Sequence, residues 1–187
     1  MAEEYLDEII LRERSRRRKE QTVREILEEG LPDEILQTVE IGEIAEMKIP
    51  SFFQDMPREI AERKYSFEPC PQIIKTNREG TVDFPFSVLE VKVPGEQLPE
   101  TVAVARKGMQ RILATAVFRE EGQETVRGME VCWFSYVRTS PEGKKIYNMI
   151  FYVAAEQSLA ITMCCHASLW EKWSAVARYC ISTLKGR

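Results

Sequence analysis

The sequence predicts an α+β fold: an α/β/α sandwich with a mainly antiparallel sheet covered by helices, plus an N-terminal charged helical extension. Three observations carry this. From Met129 onward, three segments alternate in side-chain period and are joined by tight turns. A capped amphipathic stretch follows them at once, and a second amphipathic stretch stands earlier, over residues 97–116. The expected division is 1–38 for the extension and 39–187 for the sandwich domain.

Residues 2–29 hold no Gly or Pro, and Glu, Arg, Leu and Ile dominate, so propensity predicts a helix that Gly30-Leu31-Pro32 ends. Its apolar residues gather at the two ends, Tyr5, Leu6, Ile9, Ile10 and Leu11, then Val23, Ile26 and Leu27. Between them runs the basic stretch from Arg12 to Lys19. Acids stand four residues from bases at Glu8 and Arg12, Glu13 and Arg17, and Arg16 and Glu20, where such pairs give about 0.2–0.5 kcal/mol of helix support. The run therefore reads first as a solvated helix face and next as a protein-docking arm. A nucleic-acid contact, which would weaken steeply with salt, comes last.

A second, irregular helix is expected after Asp33. Ile41, Glu43, Ala45, Met47 and Ile49 then alternate as an edge strand closed by Pro50. Met56-Pro57 to Lys64 reads as one or two helical turns, and Pro69, Cys70 and Pro71 mark a bend before a short strand over residues 72–76. Asn77-Arg78-Glu79-Gly80 is a hairpin loop. In the next strand Val82, Phe84, Phe86 and Val88 share one face, opposite Asp83, Pro85 and Ser87, which is a half-buried pattern. Pro85 places that strand at an edge or on a bulge, because proline cannot donate to a ladder.

Leu98, Val102, Ala105, Met109, Ile112 and Leu113 form the apolar stripe of the first covering helix. A polar strand is expected over 117–126. In the strand from Met129, the residues Met129, Val131, Trp133 and Val137 face one way and Cys132, Phe134 and Tyr136 the other, so both faces are covered. Ser140-Pro141-Glu142-Gly143 turns the chain into a strand over 146–153, and Glu156-Gln157-Ser158 turns it into another from Leu159. Ser168 with Glu171 three residues on predicts a capping box. The last helix buries Leu169, Trp173, Val176, Ala177, Cys180 and Leu184. Burial of Trp170 and Trp173 contributes roughly 2–3 kcal/mol each. Lys185 and Arg187 suit the negative C-terminal end of that helix.

With 187 residues and 44% hydrophobic content, the chain supports one good core and a peripheral segment. A formal charge of −4 gives no general affinity for nucleic acid or anionic membrane. No run approaches a membrane span, and the start carries Glu3, Glu4, Asp7 and Glu8 where a secretory leader would be basic, so a cytoplasmic protein is expected. The five cysteines, Cys70, Cys132, Cys164, Cys165 and Cys180, lack paired spacing and read as buried reduced thiols.

The sole histidine, His166, would share a strand face with Cys164, as a thiol and its base might. Two residues on one strand face stand about 7 Å apart, too far for direct pairing. Cys164, Cys165 and His166 are contiguous, unlike two chelating pairs, so no metal site is expected. No glycine-rich phosphate loop, HExxH or serine elbow is present, and no cofactor is implied. Glu120 and Glu121 lie in a polar segment where nothing would raise a carboxylate's pKa.

Lys64-Tyr65, Pro71-Gln72-Ile73-Ile74, Thr76-Asn77, Val82-Asp83-Phe84 and Trp170-Glu171-Lys172-Trp173 resemble the PsbP-like, DcrB-like α/β/α sandwich family over about residues 39–186. The resemblance implies a protein-binding role, since its members include extrinsic photosystem subunits, a partner of a nuclear-transport GTPase, and chaperones for secreted toxins. Many bacterial members are exported lipoproteins, and the charged start of this chain departs from them.

The expectation is thus a non-catalytic cytosolic protein-interaction module of chaperone, adaptor or immunity type, held by its sheet face, edge strand or N-terminal helix. Its partner is another protein, or a second copy through that helix. The candidate contact residues are Tyr5, Ile9, Ile10, Arg16, Arg17 and Ile26. The alternative is an enzyme built around Cys164 and His166.

Overall fold

The computed structural model describes residues 35–65 and 70–187. The predicted N-terminal helix, its contact residues Tyr5, Ile9, Ile10, Arg16, Arg17 and Ile26, and the bend at Pro69 lie outside them. A compact unit runs from Gln37 to Arg187. Its elements in order are β1 (Leu36–Ile41), β2 (Ala45–Pro50), β3 (Gln54–Asp55), α1 (Arg58–Lys64), β4 (Ile73–Thr76), β5 (Val82–Val88), α2 (Leu98–Ile112), β6 (Val117–Val126), β7 (Met129–Thr139), β8 (Lys145–Val153), β9 (Leu159–His166), α3 (Trp170–Ser182) and β10 (Lys185–Gly186).

Seven strands form the main sheet in the order β3-β4-β5-β9-β8-β7-β6, every pair antiparallel. The central strands β7, β8 and β9 read as alternating apolar rows because both faces are covered. On one face Leu98 and Val102 of α2 pack with Cys132, Phe134, Tyr136 and Ile150. On the other, α3 buries Trp173, Val176, Ala177 and Cys180, and it touches both β9 and β2. This is the predicted sandwich. Its turns follow the local chemistry: Arg127 and Gly128 both take positive φ (48° and 85°) between the paired Val126 and Met129, the geometry a two-residue hairpin needs. Gly143 at φ 79° closes the β7–β8 turn, its N–H donating to Ser140.

Residues 36–50 differ from expectation. The segment expected as an irregular helix forms β1 from Leu36, and the single strand expected over 41–49 divides at Gly42, whose φ of 58° turns the chain into β2. The period of two in Val39 and Ile41, both buried, settles the matter against helix. β2 is the middle strand of a second sheet, β1-β2-β10, and not an edge. Its other neighbour comes from the far end of the chain, with Lys185 opposite Glu46 and Gly186 opposite Ala45. Lys185 and Arg187 therefore leave the helix end predicted for them. Lys185 pairs with Glu46, and Arg187 with Glu40 and Glu46.

Three further expectations are corrected. Pro85 sits in an interior strand without a bulge: β5 lies between β4 and β9 and keeps one register with each. The ladder to β9 omits Phe84 and Pro85, which localises the missing donor. Ile112 stands at 82% exposure, off the buried stripe of α2. The capping box is replaced by a histidine cap. Nδ1 of His166 accepts the N–H of Ser168 at 3.3 Å and lies 2.8 Å from its hydroxyl, so a short 3-10 turn, Ala167–Leu169, precedes α3.

Candidate functional site

The strand registers set one cross-strand row on the α2-bearing face of the main sheet: Thr76, Asp83, Cys164, Asn148, Tyr136 and Phe118, each directly opposite the next. Side chains opposite one another in an antiparallel pair lie close enough to interact, and this row is polar through most of its length. Its one carboxylate is Asp83, second in the row and 1% exposed. The half-buried pattern assigned Asp83 to the outward side of its strand, and that is the main error in the reading of β5.

A buried carboxylate persists only with donors around it. Asp83 has three. Lys64 Nζ stands 2.6 Å from Oδ2, the Tyr65 hydroxyl donates to Oδ2 at 2.9 Å, and the Thr76 hydroxyl donates to Oδ1 at 2.8 Å. Lys64 and Tyr65 end α1, so the carboxylate fastens that short helix onto β4 and β5, with Met56, Tyr65 and Ile74 as the apolar contact beneath. Burial pushes the Tyr65 hydroxyl far up from its ordinary pKa, with the charge of Asp83 adding to it. It stays a donor at any neutral pH.

The structure places Cys164 and His166 on one face of β9, as their spacing required, but gives them different partners. The Cys164 thiol donates to Asn148 Oδ1 at 3.3 Å, while the His166 ring turns to Ser168. Burial pushes the Cys164 thiol up to about 12, and Asp83 adds to the shift. Burial likewise lifts Cys165 and Cys180 to about 12. All five cysteines are free, but Cys70 is exposed and Cys164 half-buried, against the expectation of five buried thiols. Among the described residues, no three His, Cys, Asp or Glu side chains gather to hold a metal ion.

A second candidate is the far border of the main sheet. β6 is ten residues long and among the described residues has one neighbour, β7, whereas the opposite border strand β3 has two residues. Its pairing with β7 is interrupted between Phe118 and Glu121 and runs regularly from Glu121 to Val126. Both covering helices brace it. Arg106 of α2 meets Glu121 at 3.0 Å and stacks over Phe118, while Arg178 of α3 meets Glu120 at 3.0 Å and lies 4.1 Å over the Trp133 ring. Gly122 lets that ring lie on the strand: a Cβ there would fall 2.7 Å from Trp133 Cζ2. The polar strand itself was legible in sequence. That it ends the sheet follows from non-local pairing, which no local pattern encodes.

No family model matches the chain, and no curated protein matches it. Among solved structures it is similar to the cyanobacterial PsbP (CyanoP) of Synechocystis sp. PCC 6803, with a TM-score of 0.56 at 9% identity over 84% of this chain and 96% of that one. It is also similar to PA94 of Pseudomonas aeruginosa, a protein of unknown function, with a TM-score of 0.48 at 12% identity over 81% and 97%. A third is the T6SS immunity protein TplEi of Pseudomonas aeruginosa, complexed with an "L" peptide, with a TM-score of 0.44 at 11% identity over 95% and 84%. The first of these establishes a PsbP-like fold.

Proposed function

We propose that this PsbP-like chain is a non-catalytic protein-interaction module that adds an extended partner segment to the open border of its main sheet at β6. The observation that carries the reading is the outer rail of β6, unpaired among the described residues, with regular geometry over Glu121–Val126 and a brace from each covering helix. A strand so placed presents backbone donors and acceptors as a template for β-augmentation. Natural sheets usually blunt such borders with charge, which Arg119, Glu120, Glu121 and Glu124 supply here. Glu120 and Glu121 are already engaged by Arg178 and Arg106, so the negative charge left over the regular stretch is Glu124, which favours a partner strand carrying a base.

The enzyme alternative draws less support. A thiol lifted to about 12 carries little thiolate at neutral pH, and its hydrogen bond runs to an amide and not to a base. A cytosolic placement agrees with five unpaired cysteines. Among the described residues, no helix is long and apolar enough to cross a membrane.

The test is affinity capture from native lysate followed by amide hydrogen exchange on the captured complex. Slowed exchange along residues 121–126 supports the reading. A complex that leaves those amides unprotected, or a chain that captures nothing, overturns it.

A further inference from the structure

We propose that the exposed flank of α2, where Gly108 stands between exposed Val104 and Ile112 and beside Lys107 and Arg111, is a docking site for an acidic amphipathic helix of a partner protein. The inference rests on the general reading of the chain as an interaction module, but not on β6. Positions 104, 108 and 112 are four apart, so they form one stripe along two turns of the helix. Val104 is 65% exposed and Ile112 is 82% exposed, along a flank that runs from the side opposite the buried Leu98 and Val102 toward the last residue of the helix. Two large apolar side chains on one solvent-facing stripe gain nothing from this fold.

The glycine is the independent observation. A Cβ built at Gly108 meets nothing within 4 Å, and its φ is ordinary, so no feature of the described fold requires glycine in the middle of a 15-residue helix. Glycine there weakens the helix. What it does provide is a notch between Val104 and Ile112 into which a second backbone can approach closely.

Charge selects the occupant. Lys107 and Arg111 are exposed, border the stripe on one side, and make no ion pair among the described residues. On a chain of net charge −4 they form a local positive margin. In an antiparallel pairing of two copies across Gly108, Lys107 of each would approach Lys107 of the other, which disfavours a homodimer here. An incoming helix with an apolar seam and a glutamate flank satisfies both features.

The experiment titrates two labelled synthetic helices into the full-length chain by fluorescence anisotropy. One has a leucine–alanine seam with glutamate elsewhere, and its twin carries lysine in place of glutamate. The acidic helix is expected to saturate and to bind at least tenfold more tightly than its twin. Gly108→Leu and Ile112→Glu are each expected to weaken it at least tenfold with an unchanged circular dichroism spectrum, and the double variant Lys107→Glu, Arg111→Glu to reverse the preference. Absence of saturable binding, equal affinity for the twins, or indifference to Ile112→Glu overturns the proposal. If Glu124→Lys in β6 abolishes binding while Ile112→Glu does not, the α2 site fails and the β6 reading stands.

Discussion

Two glycines show how differently one residue type acts at two places. Gly122 supports the Trp133 ring, where a Cβ has no room, and Gly108 faces open space on a helix. Gly122→Ala is therefore expected to cost about 1–3 kcal/mol by overpacking, and Gly108→Ala to stabilise by roughly 0.5–1 kcal/mol by reducing unfolded-state entropy. Urea unfolding of both variants checks the opposite signs; a destabilising Gly108→Ala would mean that the fold itself uses that glycine. At Asp83, replacement by Asn removes the charge but keeps an acceptor. The Lys64 side chain is 42% exposed and can turn to water, so the loss is expected near 1–3 kcal/mol, below that of a fully buried pair. A neutral Asp83→Asn in the same assay would show that the carboxylate does not fasten α1. Thiols offer a third readout. Iodoacetamide at pH 8 is expected to modify exposed Cys70 well ahead of Cys164, whose thiol burial holds near 12. Equal rates by peptide mass mapping would identify an activated Cys164 and revive the enzyme alternative.

At the level of elements, what was legible in the sequence was what local period and turn chemistry determine. The strands around Ser140–Gly143, the apolar stripe of α3 from Trp173 to Cys180 and the polar strand β6 all announce themselves within a dozen residues, whereas Leu169, expected on that stripe, precedes the helix and is exposed. What was not legible depends on distant partners. β1 and β2 take their meaning from a two-residue strand at the other end of the chain, and Asp83 looked outward because its donors come from α1 and β4. Ser168 looked like a cap because the serine–glutamate spacing is right, yet the His166 ring reached the orphan amide first. His166→Ala is accordingly expected to lower stability by about 1 kcal/mol, in the range of lost caps. Ser168→Ala would leave that N–H in place and cost less. Thermal unfolding of the pair decides which side chain caps.

The unit from Gln37 to Arg187 keeps α2 and α3 on opposite faces of one antiparallel sheet and, among the described residues, leaves one long border of that sheet open. This asymmetry explains why a fold legible in outline from sequence gave no legible site. Binding surfaces on such a sandwich are made of exposure and of sheet order, and neither leaves a motif. The expected consequence is that charge reversal on β6 and on α2 separates two binding activities while leaving the melting temperature nearly unchanged, since solvent-exposed charges contribute little to stability. A single variant that abolished both activities without unfolding the chain would argue for one continuous surface.

The pairing of β10 with β2 also has a meaning in time. Lys185 and Glu46 lie 139 residues apart, so during synthesis β2 emerges from the ribosome on the order of ten seconds before the strand that flanks it. Throughout that interval Ala45 and Glu46 lack their neighbour on that side, and only translation of Lys185 and Gly186 supplies it. A chain interrupted before Lys185 therefore has every strand of the main sheet written but leaves β2 without its second neighbour, so the two sheets are completed at different times.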